Sequence, residues 1–173
     1  MRMRYTVALS AVLGMPAVPT LAADLNLKID LPRLQVAEYH RPYVAVWLEK
    51  AGDQSFAGHL AVWYDIKKRD NGGTKWLKDM RQWWRKGGRD LKVPVDGVSG
   101  ATRNAGEHAI SLGAAKALAS LPPGEYEVVV EASREHGGRD VVRVPLQWPV
   151  KSAKSTKGQG DGELGAVVLE AKP

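Results

Sequence analysis

Residues 43–49 read Tyr-Val-Ala-Val-Trp-Leu-Glu, a run of β-branched and aromatic side chains. Such a run fits a pleated surface with apolar neighbours. Upstream, Leu25-Asn26-Leu27-Lys28-Ile29-Asp30-Leu31 alternates apolar and polar residues with period two. That is the pattern of a strand with one buried face. Downstream, residues 60–65 (LAVWYD) form another such run, and Gly52 and Asp53 between it and the first predict a hairpin. Residues 108–112, 126–132, 141–148 and 164–171 complete the set. Pro122-Pro123-Gly124 and His136-Gly137-Gly138 punctuate it with turns. Seven short strands separated by turn signals predict a mainly β chain, folded as an antiparallel β-sandwich.

Residues 74–86 (TKWLKDMRQWWRK) depart from this pattern. Trp76, Met80, Trp83 and Trp84 recur at helical spacing, so one short amphipathic helix is expected there. Thr74 is placed to cap its start and Gly87-Gly88 to end it. Lys75, Lys78, Arg81, Arg85 and Lys86 give the helix a basic flank. Adjacent side chains on a helix diverge by about 100°, so one of Trp83 and Trp84 is expected to stay partly exposed. Residues 151–162, rich in Lys, Ser and Gly, read as a flexible loop.

The N-terminus adds an address. Arg2 and Arg4 precede an apolar run from Tyr5 to Met15, and Thr20-Leu21-Ala22-Ala23 offers small residues for cleavage near Ala22. Residues 1–22 therefore read as a secretory signal, and 23–173 as a single exported domain. The apolar run is too short for a stable membrane span, which needs about 20 residues. Without Arg2 and Arg4 the chain keeps 23 basic and 19 acidic residues, a net charge of +4. That balance does not point to a nucleic-acid binder. The absence of cysteine excludes disulfides, thiolate metal sites and thiol catalysis. No hydrolase or nucleotide-binding motif is present.

The most specific string is Asp96-Gly97-Val98-Ser99-Gly100-Ala101-Thr102. It resembles the flavinylation motif of exported FMN-carrying domains, in which a periplasmic FAD:protein FMN transferase esterifies the last hydroxyl. That resemblance implies Thr102 as the acceptor, with Asp96 helping the transferase to grip the loop. Small Ser99, Gly100 and Ala101 would let the backbone enter a foreign active site. The partly exposed one of the helix tryptophans, taken as Trp84, would be free to stack on the isoalloxazine ring, and Arg103 to grip the FMN phosphate. The ordinary alternative is a turn leading into a strand. The second hydroxyl pair that usually follows the acceptor is replaced by Arg103-Asn104.

A broader resemblance runs through six blocks: 41–47 (RPYVAVW), 75–79 (KWLKD), 83–85 (WWR), 99–103 (SGATR), 122–126 (PPGEY) and 134–139 (REHGGR). Together they look like domain of unknown function family 2271, a family of predicted periplasmic proteins. The resemblance implies an immunoglobulin-like fold, a periplasmic location, and company with PepSY-type membrane proteins and flavin transferase.

His40, His59, His108 and His136 show no paired metal spacing. Glu135 and His136, in a Gly-rich turn, are the metal-ligand candidates. Arg134, Arg139 and Arg143 alternate with Glu131, Glu135 and Asp140, which predicts a cross-strand salt-bridge ladder; the alternative is that Arg134, Arg139 or Arg103 grips a phosphate such as that of FMN. The expected function is a periplasmic redox accessory protein bearing FMN on Thr102. The alternative is a cofactor-free interaction module that docks through the Trp/basic helix.

Overall fold

The computed structural model describes residues 23–173, and the expected signal segment 1–22 lies outside them. Nine strands run in order: β1 (Asp24–Leu31), β2 (Tyr43–Lys50), β3 (Phe56–Tyr64), β4 (Ser99–Ala101), β5 (Gly106–Ser111), β6 (Gly124–Ser133), β7 (Arg139–Trp148), β8 (Lys154–Gln159) and β9 (Ala166–Lys172). They form two sheets, ordered β5-β1-β9-β8 and β4-β3-β2-β6-β7. All pairings are antiparallel except that of β4 with β3, which is parallel. Two sheets face each other across one core, as expected of a β-sandwich.

Alternation does the work in β1. Leu25, Leu27, Ile29 and Leu31 are fully buried between the sheets, while Lys28 and Asp30 stay partly exposed. Each buried aliphatic side chain contributes about 1.5–3 kcal/mol. Strand β2 carries a continuous apolar run for a different reason: both its faces are covered. Val44, Val46 and Leu48 enter the core between the sheets. Ala45 and Trp47 enter a second cluster with Leu77, Met80 and Trp83, on the outer face of the five-stranded sheet. The molecule thus has a third layer, made by the segment between β3 and β4.

That layer is not the single helix expected over residues 74–86. A 3-10 segment, Arg69–Asp79, with left-handed Asp70 and Asn71, precedes a short helix α1 (Arg81–Lys86). The chain breaks at Met80, whose ψ is 73°. Thr74 caps nothing; its hydroxyl donates to the Asn71 carbonyl at 2.7 Å. The cause of the break is Glu131, buried on β6. Its carboxylate accepts the backbone N–H groups of Gln82 (3.1 Å) and Trp83 (2.7 Å), which a continuous helix would give to preceding carbonyls. Trp83 is buried and Trp84 half-buried, the division expected of adjacent tryptophans.

Residues 151–162 are not a flexible loop either. Strand β8 occupies 154–159 and pairs with β9 at the edge of its sheet. Its polar composition suits an edge strand, where lysines discourage further pairing. A side chain at Gly158 would collide with Val142 of β7, so this glycine permits close approach of the two sheets. Another short helix, α2 (Lys116–Ala119), lies between β5 and β6. Among the described residues, no helix is long and apolar enough to cross a membrane.

Candidate functional site

The string 96–102 is both a turn and a strand. Asp96 and Gly97 lie in the turn, and Ser99–Ala101 forms β4, an edge strand of its sheet. The Ser99 hydroxyl accepts the Val95 N–H at 2.9 Å and so holds the turn closed. A β-carbon at position 100 would approach Trp63 Cδ1 to 3.2 Å, so glycine lets β4 lie against that indole. Ala101 and Asp96 are exposed, and Thr102 is half-buried. The Thr102 N–H donates to the Tyr64 carbonyl at 3.2 Å, extending the pairing by one residue.

Thr102 stands on the wall of a polar cavity of about 240 Å³. Four of the six sequence blocks meet here: Arg41 and Tyr43 from the first, Trp76 and Asp79 from the second, Thr102, and Glu135 from the last. His40, Asp65, Lys68 and Ser133 complete the lining. The cavity lies where the outer layer meets the end of the five-stranded sheet. The Tyr43 hydroxyl donates to the Gly73 carbonyl at 3.0 Å, fastening the 3-10 segment to β2. Burial pushes the Tyr43 phenol above its usual range, so it stays protonated. Two cations and three carboxylates therefore face one small space, able to receive a ligand that carries both acceptors and hydroxyl donors.

His40 joins this wall from the loop before β2. Its Nε2 is 3.2 Å from Glu38 Oε1 but out of line for a hydrogen bond, leaving that nitrogen buried without a partner. Its Nδ1 is 4.0 Å from Glu135 Oε2, and its ring centroid is 6.3 Å from that of His136. Among the described residues, no three His, Asp or Glu side chains converge in a way that could hold an ion. Glu135 instead lines the cavity, while His136 is an exposed turn residue at φ 53°.

A second, larger cavity of about 620 Å³ opens on the other side of β4. Asp96–Gly100 and Arg103 form part of its wall, with Trp63, Ile110 and Ala115 opposite. The Arg103 guanidinium lies 4.1 Å from the Trp63 ring centroid, a stacked cation–π pair. Thr102 and Arg103 thus face two different cavities across one edge strand. Trp84 lines neither: it packs beside Trp83, ring centroids 6.2 Å apart, in the outer cluster. Trp76 instead shares the cavity wall with Thr102, and Trp63 shares the second cavity with Arg103.

The arginines of the expected ladder are engaged. Arg134 forms a doubly bonded pair with Glu163. Arg139 binds Glu131 at 2.8 Å, and Arg143 binds Glu49 at 2.7 Å and Glu127 at 3.2 Å. These pairs stitch strands together and leave Arg41, Lys68 and Arg103 as the cations beside the motif. Arg41, Tyr43, Asp65, Lys68, Trp76 and Asp79 were not legible as site residues. The only signal for Arg41, Tyr43, Trp76 and Asp79 was membership of the blocks at 41–47 and 75–79, and Asp65 and Lys68 carried none.

The blocks reflect common ancestry. Residues 24–166 match the model of the family described as "Predicted periplasmic protein (DUF2271)". The chain belongs to this family. Its location is accordingly periplasmic, the address expected from residues 1–22. No curated protein and no solved structure matches the chain.

Proposed function

We propose that this DUF2271 protein is a periplasmic redox accessory protein that carries FMN as a phosphoester on Thr102. The observation that carries the reading is the position of Thr102. It directly follows an outermost strand of small residues and stands on the wall of a cavity of mixed charge. An edge strand can be recruited by strand pairing into an enzyme's active site. Exposed Asp96 and Ala101 offer that enzyme an unobstructed approach.

The modification balances simply. The Thr102 hydroxyl oxygen attacks the FMN-side phosphorus of FAD, the pyrophosphate bond breaks, AMP leaves, and the hydroxyl proton passes to the transferase. The residues present fit the product. Arg41 and Lys68 would neutralise phosphate oxygens, and Asp65 and Asp79 would accept hydrogen bonds from ribityl hydroxyls. Trp76, on the wall of the same cavity, offers an aromatic face to an isoalloxazine ring. When bound, FMN supplies one- and two-electron transfer, and the protein supplies its position and electrostatics. A membrane protein of the periplasm is the exchange partner in this reading.

Intact mass decides it. Protein recovered from a periplasm with active FMN transferase should carry one FMN. Thr102→Ala should abolish the adduct and Thr102→Ser retain it. An unmodified wild-type mass, beside a control substrate that is modified, sinks the proposal.

A further inference from the structure

The charge of the exported chain is concentrated in one layer. Residues 67–92 hold ten Lys and Arg against three Asp, a net of +7. The rest of 23–173 holds 13 Lys and Arg against 16 Asp and Glu, a net of −3. The overall +4 conceals this asymmetry. The basic residues belong to the outer layer and the loop that follows it.

Burial orients the layer. Leu77, Met80 and Trp83 are buried against the sheet. Nine of the ten cations, among them Lys75, Lys78, Arg81 and Arg85, are exposed. Among the described residues, only Lys86 of the ten is in an ion pair, with buried Glu49 at 3.6 Å. Keeping so many like charges together is unfavourable unless something anionic answers them. Apolar groups lie among them: Ile66, at 46% exposure, immediately precedes Lys67, and half-buried Trp84 precedes Arg85.

We propose that this layer is a docking face for an anionic phospholipid surface. Exposed Lys and Arg with interspersed aliphatic and indole groups match an interfacial membrane contact, in which charge attracts and apolar tips enter the headgroup boundary. The cations are dispersed along 26 positions and do not surround one pocket. A fluid anionic surface accommodates such dispersal, whereas a protein partner requires fixed complementary positions. Docking would also be productive. Lys68, Trp76 and Asp79 belong to this segment and line the cavity of Thr102, so the site would be held at the membrane. Docking through this face is independent of whether Thr102 is modified.

Flotation with lipid vesicles tests it, using the purified mature protein. Vesicles of equal parts phosphatidylcholine and phosphatidylglycerol should carry the protein up the gradient, and phosphatidylcholine alone should not. Binding should fall about tenfold or more in ~1 M salt, where the screening length shrinks to about 3 Å. The exposed triple reversal Lys78→Glu/Arg81→Glu/Arg85→Glu should lose at least about tenfold in vesicle binding. A reversal on β8 and its approach, Lys151→Glu/Lys154→Glu/Lys157→Glu, should bind as wild type. Equal losses in the two triples, with both folded by circular dichroism, would overturn the assignment. So would equal binding to neutral vesicles. Failure to float with anionic vesicles, combined with charge-dependent capture by an acidic protein, would reassign the face to a protein partner.

Discussion

At the scale of single residues, His59 shows how the outer layer is tied to the sheet beneath it. The Trp83 indole N–H donates to His59 Nδ1 at 3.1 Å, and the ring also packs on Phe56 with centroids 4.6 Å apart. An imidazole that accepts at Nδ1 is neutral, with its one proton on Nε2. Burial holds His59 below the ordinary 6.5, favouring the neutral form in the folded state. The unfolded chain then binds the proton more readily than the folded one. The resulting stabilisation is complete above 6.5 and is lost as pH falls through the lower folded value. The melting temperature should therefore drop between about pH 7.5 and 5.5, the range of imidazole titration. His59→Gln keeps an acceptor for the indole but does not titrate, so its melting temperature should change less over that interval. Identical pH slopes in the two proteins would refute the role given to His59. Thr102 and Arg103 make a different point at this scale. Their motif was legible as a string, yet only the backbone shows that neighbours in sequence face separate cavities.

At the scale of elements, the outer layer depends on one carboxylate more than on its own helix propensity. Six residues are too few for α1 to be stable alone. Glu131 supplies acceptors for its first N–H groups and is itself held by Arg139. Glu131→Ala leaves these buried donors without partners. A loss of about 3 kcal/mol in denaturant unfolding is expected, from two hydrogen bonds to a charged acceptor. Amide exchange at Gln82 and Trp83 should quicken more than in β2, and unchanged protection there would count against the capping role. The same carboxylate explains why the sequence misled. Helical periodicity across 74–86 is a local signal, but the break at Met80 is imposed by a residue 51 positions further along. Strands β1, β2 and β6 were legible because alternation or continuous burial is written locally. Strand β8 was not, since its glycine and lysines serve close packing and edge protection, which look like flexibility in one dimension. The site suffered similarly. Trp84 was favoured on the geometry of one unbroken helix, whereas Trp76 reaches the cavity from the 3-10 segment. Arg41, Asp65 and Lys68 meet only after folding.

At the scale of the whole molecule, the two edges of the sandwich are built differently. One edge, between β4 and β5, leaves the motif-lined cavity open. The opposite edge, between β7 and β8, is stitched by buried polar groups. Asp140 Oδ2 accepts the N–H groups of Asp161, Gly162 and Leu164, linking β7 to the β8–β9 turn of the other sheet. Glu163 in that turn accepts Arg134 bidentately and the Gly138 N–H at 2.8 Å. The Arg134 and Glu163 side chains are only 7% and 5% exposed. Removing one partner of such a pair leaves an uncompensated buried charge, which costs about 3–5 kcal/mol. Arg134→Ala should therefore lower the melting temperature by roughly 10 °C, taking about 2–4 °C per kcal/mol for a domain of this size. Replacing both, Arg134→Leu with Glu163→Met, removes the stranded charge and should recover most of the loss. The Gly138 N–H, then without its acceptor, keeps recovery incomplete. If the single and double variants melt together, the cost lies in lost packing and the stitch is not electrostatic. If Arg134→Ala melts as wild type, the closed edge is held by the apolar contacts of β7 with β8, and the asymmetry between the two edges has another cause.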